Sequence, residues 1–590
     1  MQALERAVRP NTSNGQKWLR FLRWDKLRQA LEADGLPPIE PLADTYRRLN
    51  RNGAGLELAP FRRLSDALRR YLDLVAVARL DNPEEAYGRQ LDALARDLER
   101  YRERPTPELE QRIGTRLDFL AGVGQAGDLL RAVRRDYSRP NAYVNVSEEL
   151  LNAAGSEPIH RTDPVTDVIL GTQIRGTAHT TGSVSLRTVP SEDGARLELV
   201  SSGHVVSDNV GRNGPAVICS TGYTDYIATK TVELEDEAFR SLSTAVDART
   251  RSDIHSVNKA GGGLGSRLVS RMAGSRVRQN QGRANSIAAD HAEDRIARRI
   301  NDEVSEDLRD ARRRYEEEFR RPLARRGELP PYIRYSTTDD AMNVVATQAS
   351  RSQLGAPAGP PPLPAGELAA LLHETAINNY VTTILGGATV SETEPDKDAE
   401  FDVELPDWME RAWEERENED DGERDGANVA AAKDEPFEPY SLTFRQGRPI
   451  TVDFADGSVV LTIHVDRLVS GDDEFEDWDI TGTFEPELQG GGVVLHRQGD
   501  LEVLPIGFDR QRDRLSQRQV AVRSNLTEVL NERSAQGRGF PRTIEIDRLE
   551  PEGEFARVGP LNLDEFSSGD GWLTLAWNRD RPDRTARRGR

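Results

Sequence analysis

The pair His373-Glu374 opens like the His-Glu-x-x-His signature of zinc proteases, where two histidines four residues apart share one helix face and the glutamate activates water. Ile377 stands where the second histidine is needed, so His373 is expected to be a structural hydrogen-bonding residue beside a strand-to-helix junction. Ser256-Val257-Asn258-Lys259 fits the Ser-x-x-Lys nucleophile pattern, and Ser207-Asp208-Asn209 fits its usual companion. In penicillin-recognising enzymes the nucleophile motif comes first and a Lys-Thr-Gly strand last. Here the order is reversed, and Lys230-Thr231-Val232 lacks the glycine. Gly261, Gly263 and Gly265 could cradle a phosphate, but Ser266 replaces the final glycine and the cluster reads as a hinge.

Asp225 occupies the position where a phosphatase built on Cys219 requires arginine, and as the single cysteine Cys219 is expected to be a buried thiol with no internal disulfide. Asp472, Asp473, Glu474, Glu476, Asp477 and Asp479 could offer oxygens to calcium, but they lack EF-hand spacing and read as a solvated acidic turn. Arg309, Arg312, Arg313, Arg314, Arg320, Arg321, Arg325 and Arg326 are interleaved with Asp307, Asp310, Glu316, Glu317 and Glu318. Helical ion pairs account for that pattern better than nucleic-acid binding does. The sequence contains no Gly-Lys-Ser or Gly-Lys-Thr loop, no Gly-x-Ser-x-Gly elbow and no paired cysteines. No catalytic, cofactor-binding or metal-ligating residue is therefore assigned, and no cofactor is expected.

The elements around these residues are periodic. From Lys17 to Tyr137 apolar residues recur at steps of three and four, as in Leu19, Leu22, Leu27, Leu31 and Leu64, Leu68, Leu72, Val75. This predicts an all-α unit over 1–138 with four or five helices, one of them capped by Thr106 with Pro107 in its first turn. Strand-like alternation follows at Val184/Leu186, Leu197/Leu199 and Val232/Leu234, giving a first antiparallel β-rich unit over 139–258. Ile296, Ile300, Val304, Leu308, Tyr315 and Phe319 outline one long amphipathic helix within 266–322. A linker over 323–365 includes Pro357, Pro360, Pro361, Pro362 and Pro364, which favour an extended chain. Alternation returns at Ile450/Val452/Phe454, Val459/Leu461/Ile463/Val465 and Leu573/Leu575/Trp577, defining a second β-rich unit over 366–580. The class is thus α+β multidomain.

The two β-rich units are candidates for an internal duplication. Val144 to Asn152 matches Leu371 to Asn379 in its order of apolar start, polar helix start, apolar pair and Asn, and the triplets Ile169-Leu170-Gly171 and Ile384-Leu385-Gly386 follow at different distances.

Charge is concentrated in one place. Ser391 to Ile480 holds 29 acids against 8 bases, which alone equals the net charge of -21 of all 590 residues. Glu414 to Asp425 packs eight acids and two bases into twelve residues, so 410–439 is expected to be a disordered insertion and 581–590 a disordered tail. Among basic residues 73 are Arg and 6 are Lys, a bias that carries no functional weight. No secretory signal is visible at the start, and an apolar run such as Leu74 to Ala78, five residues and unsurpassed in the chain, falls far short of the roughly 20 residues needed to cross a bilayer.

At Pro140 to Asn152, Val168 to Ile174 and His373 to Asn379 the chain resembles a family of large uncharacterised planctomycete proteins with no assigned activity. That resemblance implies a periplasmic or cell-envelope location and carries over no site residue. The strand-to-helix start ending in Leu-Asn, repeated in two β-rich units, is similar in architecture to tubular lipid-binding proteins of the bactericidal permeability-increasing type. That similarity implies a sheet wrapped on a helix in each unit, an apolar groove, and a lipid or other apolar ligand bound without catalysis. The alternatives are a scaffold that recruits protein through the helical unit or the acidic loop, and a hydrolase with an unfamiliar site.

Overall fold

The computed structural model describes residues 1–50, 56, 59–124, 126–235, 238–259, 266–320, 332–387, 389–391, 440–445, 447–470, 473–510, 512–535, 540–551 and 553–580. The 410–439 insertion, the 581–590 tail, the glycine cluster at 261–265, Pro322 and the start of the 323–365 linker lie outside the described residues.

The amino-terminal third is helical: α1 (Gln2–Val8), α2 (Ser13–Phe21), α3 (Trp24–Leu31), α4 (Ile39–Leu49), α5 (Ala59–Ala78), α6 (Pro83–Glu103), α7 (Pro107–Val123) and α8 (Gly127–Tyr137). The helices are more numerous than the four or five expected, and three of them start at a side-chain cap: Thr12, Asn82 and Thr106. Asn82 accepts from Glu85 N at 3.2 Å and Thr106 from Leu109 N at 3.4 Å, each followed by proline in the first turn. Two apolar cores result. One gathers Leu22, Trp24, Leu27, Leu42 and Leu49 with Phe61 of α5, and the other Leu94, Tyr101, Ile113, Leu117 and Leu120 of α6 and α7. Leu354, from far along the chain, completes the second core and is fully buried.

The rest is β-rich. β1 (Ala142–Ser147) runs into α9 (Glu148–Gly155), followed by β2 (Glu157–Ile169), β3 (Thr172–Val189), β4 (Ala195–Asn213), β5 (Ala216–Glu235), β6 (Ala238–Ser241) and β7 (Ala245–Lys259). These last six form one antiparallel sheet, with β6 and β7 both paired to β5. Helix α10 (Ser266–Arg314), 49 residues or roughly 73 Å at 1.5 Å each, lies on it and ends in a π-helical turn, Tyr315–Arg320. β8 (Tyr332–Thr337), β9 (Ala341–Thr347) and β10 (Leu368–His373) lead into α11 (Glu374–Leu385). The second lobe holds β11 (Thr389–Ser391), β12 (Tyr440–Phe444), β13 (Ile450–Ala455), β14 (Ser458–Ser470), β15 (Asp473–Gln489), β16 (Gly492–Pro505), α12 (Gln517–Ala535) and β17 (Thr543–Ile546). The chain closes with β18 (Leu561–Gly569) and β19 (Trp572–Arg579).

Between the lobes lies a shared sheet in the order β18-β19-β10-β1-β9-β8. The proline-rich segment therefore joins two strands of one sheet. β1 and β10 pair antiparallel at its centre, with Val144 opposite Ala370, so a two-fold relation exchanges β1 with β10, β9 with β19 and β8 with β18.

Hydrogen bonds repeat across that relation. Ser147 N donates to Glu367 O at 2.8 Å and His373 N to Asn141 O at 2.9 Å. Asn141 N donates to Ala346 O at 3.1 Å and Glu367 N to Trp577 O at 3.0 Å. The Asn141 side chain accepts from Gln348 N at 2.7 Å, and the Glu367 carboxylate from Arg579 N at 3.0 Å. Each helix then grips its own lobe. Asn152 Oδ1 and Glu148 Oε2 accept from Leu186 N and Thr188 N at 2.9 and 2.7 Å, while Asn378 Oδ1 and Glu374 Oε2 accept from Val452 N and Phe454 N at 2.7 and 3.3 Å. A Glu-x-x-x-Asn pair on one helix face thus satisfies alternate amides of an unpaired strand edge in both halves.

This repeat sets the register one residue away from the sequence match. The helix caps Ser147 and His373 coincide, so Asn152 answers to Asn378 instead of Asn379. The Ile-Leu-Gly triplets are not equivalent. Leu170 and Gly171 form a hairpin tip with φ of 49° and 74°, whereas Leu385 ends α11 and Gly386 has φ of -55°.

Glu367 is 4% exposed and chelates Arg579 with 2.9 Å bonds to both Nε and NH2, and Asn141 is fully buried. Glu367→Ala and Asn141→Ala each strand buried partners and are expected to destabilise the protein by about 2–4 kcal/mol. Urea unfolding monitored by far-UV circular dichroism checks this, and unchanged midpoints would refute the two-fold seam as an energetic element.

Candidate functional site

Three places bring polar chemistry together, and they differ in what they can hold. The first is the seam between α10 and the first-lobe sheet. Strand alternation turns Asp163, Asp167, Lys230 and Ser252 toward the helix, and α10 answers each. Asp167 accepts from His291 Nδ1 at 2.8 Å and from Arg295 at 3.0 Å, and Arg299 reaches Asp163 at 2.8 Å. Burial opposes the charge on Asp167, but Arg295, His291 and the Val168 amide together hold its carboxyl below the usual range. Lys230, 3% exposed, donates to Asn301 Oδ1 and Leu242 O at 2.5 Å, and burial lowers its ammonium. The sheet surface there also carries Gly203, over which the Tyr226 ring lies so closely that an added Cβ would sit 2.8 Å from it. The apolar patch is small: Tyr226, Ala228, Ala248 and Ala292 with Val205, Val246, Ile296 and Ile300. This seam is a polar zip closed by its own partners, unlike the apolar groove expected in each lobe.

The second place is the cleft between α12 and β16. Helix α12 starts from a capping box in which Ser516 Oγ accepts from Gln519 N at 3.3 Å and Gln519 Oε1 from Ser516 N at 2.9 Å. Val522, Leu526 and Leu530, at four-residue spacing, face the second-lobe core of Phe454, Phe484, Leu495, Leu501 and Val503. That fixes one face of the helix on the sheet and leaves another over an open cleft of about 810 Å³. Leu504, Phe508 and Leu515 give it apolar wall that is only half-buried. Its charged rim has Asp500, Glu502 and Glu528 against Arg510 and Arg523, with Arg510 paired to Glu502. Sequence reading missed the cleft because its lining comes from one strand end, the loop after it and a helix of weak amphipathicity. The Ser-x-x-Gln box at 516–519 was the available signal.

The third is a cluster of acids where α7 meets β13 and α11. Burial raises Glu110 to about 8, with Glu374 adding to the effect and Arg448 opposing it. Burial and then the charge of Asp453 raise Glu374 to about 7, against the Phe454 amide and Arg448. Burial pushes the Tyr101 phenol up, reinforced by Glu110 and Glu374.

The residues singled out by motif are scattered. His373, 3% exposed, caps α11 by accepting from Thr375 N at 3.2 Å, sits edge-on to Trp572, and is held neutral by burial, which lowers it to about 4. Ser256 and Lys259 lie three apart on strand β7, which turns them to opposite faces, whereas a Ser-x-x-Lys pair needs a helical turn to meet. Ser207, Asp208 and Asn209 lie on β4, across β5 from that strand. Cys219 is half-buried on β5 instead of fully buried. Asp472 and the Arg321, Arg325 and Arg326 positions lie outside the described residues. Glu474 and Asp479 on β15 pair with Arg467 and with His464 (2.6 Å), and Asp310 pairs with Arg313. Among the described residues no group of three or more His, Cys, Asp or Glu could hold a metal ion, and no helix is long and apolar enough to cross a membrane.

No family model matches the chain, and no curated protein matches it, so the planctomycete resemblance has no family match behind it. Among solved structures the chain is similar to one described as the crystal structure of lipopolysaccharide binding protein, at 11% identity over 75% of this chain and 99% of that one, with a TM-score of 0.24. A score that low transfers neither fold nor ligand.

Gly571 closes the turn beside the His373 cap with φ of 77°, and a Cβ there would lie 2.7 Å from His373 Nε2. Gly571→Ala is expected to cost about 1–3 kcal/mol of stability. Thermal unfolding reads the loss, and an unshifted midpoint would show that the cap tolerates displacement.

Proposed function

We propose that the protein is a non-enzymatic binding protein that holds the apolar part of one amphiphilic ligand in the cleft beneath α12. The observation that carries this reading is the cleft itself. At about 810 Å³ it falls in the usual range of roughly 300–1,000 Å³ for small-molecule sites, and it combines apolar wall with convergent polar groups. Each methylene buried against Leu504, Phe508 and Leu515 contributes about 0.8 kcal/mol. Three acids against two arginines at the rim favour a neutral or zwitterionic head over a polyanionic one, which the acids would repel. At the first-lobe seam the described polar groups satisfy one another. Binding therefore belongs to the second lobe alone.

A second reading, protein recruitment by the helical unit, is favoured by Tyr71 and Leu74 of α5, which stand 37% and 60% exposed three residues apart.

Native mass spectrometry of the purified chain, followed by titration with a fluorescent fatty acid and with lysophosphatidylcholine, separates the two. A co-purifying amphiphile and saturable one-to-one binding are expected. Thr527→Trp, which fills the cleft from α12, is expected to weaken binding at least tenfold with the fold intact. Equal binding by this variant, or none by the unaltered chain, would remove the cleft as the site and leave recruitment as the better reading.

A further inference from the structure

Charge along α10 is divided into two halves. From Ser266 to Ala289 the helix carries five arginines and no acid, whereas Asp290 to Arg314 carries eight acids and seven arginines. In the second half arginines find partners: Arg295 pairs with Asp167, Arg299 with Asp163 and Arg313 with Asp310. In the first half Arg276, Arg278 and Arg283 are exposed and make no ion pair among the described residues. Arg276 and Arg283 stand two turns apart on one face. Gln281, between them, is held to the sheet by its 2.6 Å bond to Ser252 O, and a Cβ at Gly282 would meet open space. The arrangement works against the helix itself, because like charges repel along it and arginine in a first turn without an acid opposes the dipole. Beside this half lies the β2–β3 hairpin tip, placed by the bonds of Asp167 to His291 and Arg295. Its Val168 and Leu170 are 58% and 40% exposed.

We propose that this face of α10 and the adjoining hairpin tip dock the acidic segment 392–439 of a second copy of the chain. That segment, outside the described residues, holds 20 acids and 5 bases, a net charge of -15. From Glu400 to Glu410 its acids are interleaved with Phe401, Val403, Leu405, Trp408 and Met409. It therefore offers apolar groups to Val168 and Leu170 as well as carboxylates to the arginines. The chain's own segment is badly placed for this contact. Helices α9 and α11 leave an antiparallel strand pair in opposite directions, so the lobes lie on opposite sides of the shared sheet. Ser252 is level with Gly222, Ser207 and Ala178. That level is ten residues, or about 33 Å, along β3 from Thr188, where α9 holds the strand. The 48 residues of 392–439 start and end beside a paired site, Ser391 opposite Ser441. Only half of them count toward reach, about 80 Å if drawn straight. Crossing the shared sheet and that stretch of the first lobe takes most of this length, and ordering entropy opposes so straight a path. A neighbouring copy needs no such extension. The contact is head to tail, and association continues from copy to copy unless the rotation closes a ring. Each exposed ion pair contributes little alone, so the contact depends on several at once and weakens with salt.

Fluorescence anisotropy of a labelled 392–439 peptide titrated with the full-length chain tests this. Saturable binding is expected in about 50 mM salt, and binding weaker by about tenfold or more in about 300 mM salt. Arg276→Glu with Arg278→Glu and Arg283→Glu is expected to weaken binding by about tenfold or more. The same charge change in the second half of α10, Arg298→Glu with Arg309→Glu and Arg312→Glu, is expected to leave it within about twofold. Sedimentation velocity of the unaltered chain is expected to show salt-sensitive self-association that is lost when 392–439 is replaced by a short Gly-Ser linker. A peptide that does not bind, or that binds the Arg276, Arg278 and Arg283 variant as well as the unaltered chain, overturns the proposal. So does a chain that binds peptide yet stays monomeric at every concentration, which assigns the face to its own segment. Uptake of phosphatidylserine vesicles through the same arginines without peptide binding assigns the face to a lipid surface and overturns the proposal too. None of these outcomes depends on the cleft beneath α12.

Discussion

The antiparallel pair of β1 and β10 is the constraint on which the rest of this molecule depends. Both strands are interior, each leads directly into a helix, and each helix reaches into a different lobe. Placing Val144 opposite Ala370 fixes the register of six strands. The two Glu-x-x-x-Asn grips then fix where Leu186 to Thr188 and Val452 to Phe454 lie relative to that sheet. Among the described residues these edges have no further strand to pair with, so without the side-chain acceptors their amides would be left unsatisfied at a cost of about 1–3 kcal/mol each. The repeat places matching hydrogen bonds in both halves and is unequal in its chemistry. Where one half uses neutral Asn141, the other uses charged Glu367 with Arg579.

Unequal chemistry extends to the lobes. Both place a helix on a sheet, but the first closes its contact with Asp163, Asp167, Lys230 and Ser252 against α10. The second buries Phe454, Phe484, Leu495 and Leu526 and lets α12 stand off from β16 at one edge. A polar zip satisfied from within has nothing to offer a ligand, whereas an apolar wall left half-covered does. The helical unit is tied to the segment between β9 and β10, where Arg351 pairs with Asp73 and Asp118 and Leu354 fills the second helical core.

Much of the architecture was legible in the chain. The helical unit, the long helix around Ile296 and Ile300, and the alternating strands at Leu197 and Val459 were all set by apolar periodicity, which burial enforces locally. The match between Val144 to Asn152 and Leu371 to Asn379 pointed to the two-fold repeat, but it was one residue out because apolar order is read more easily than caps. His373 occupies the cap that Ser147 fills in the other half, an exchange that residue type alone does not suggest. The shared sheet was not legible, since its six strands come from four separated stretches and the proline-rich segment suggested separation. The acid cluster was hidden for the same reason. Glu110, Glu374 and Asp453 are far apart in sequence, and each reads alone as a surface charge.

If one sheet joins the two lobes, they must open together. Native-state hydrogen exchange in rising urea measures this directly by comparing amides of β4 in the first lobe with those of β15 in the second. The shared sheet predicts that both merge into a single global opening with the same free energy and the same urea dependence. If β4 opened in a separate step of smaller free energy and smaller urea dependence while β15 stayed protected, the lobes would be independent and the central strand pair would not bind them into one body.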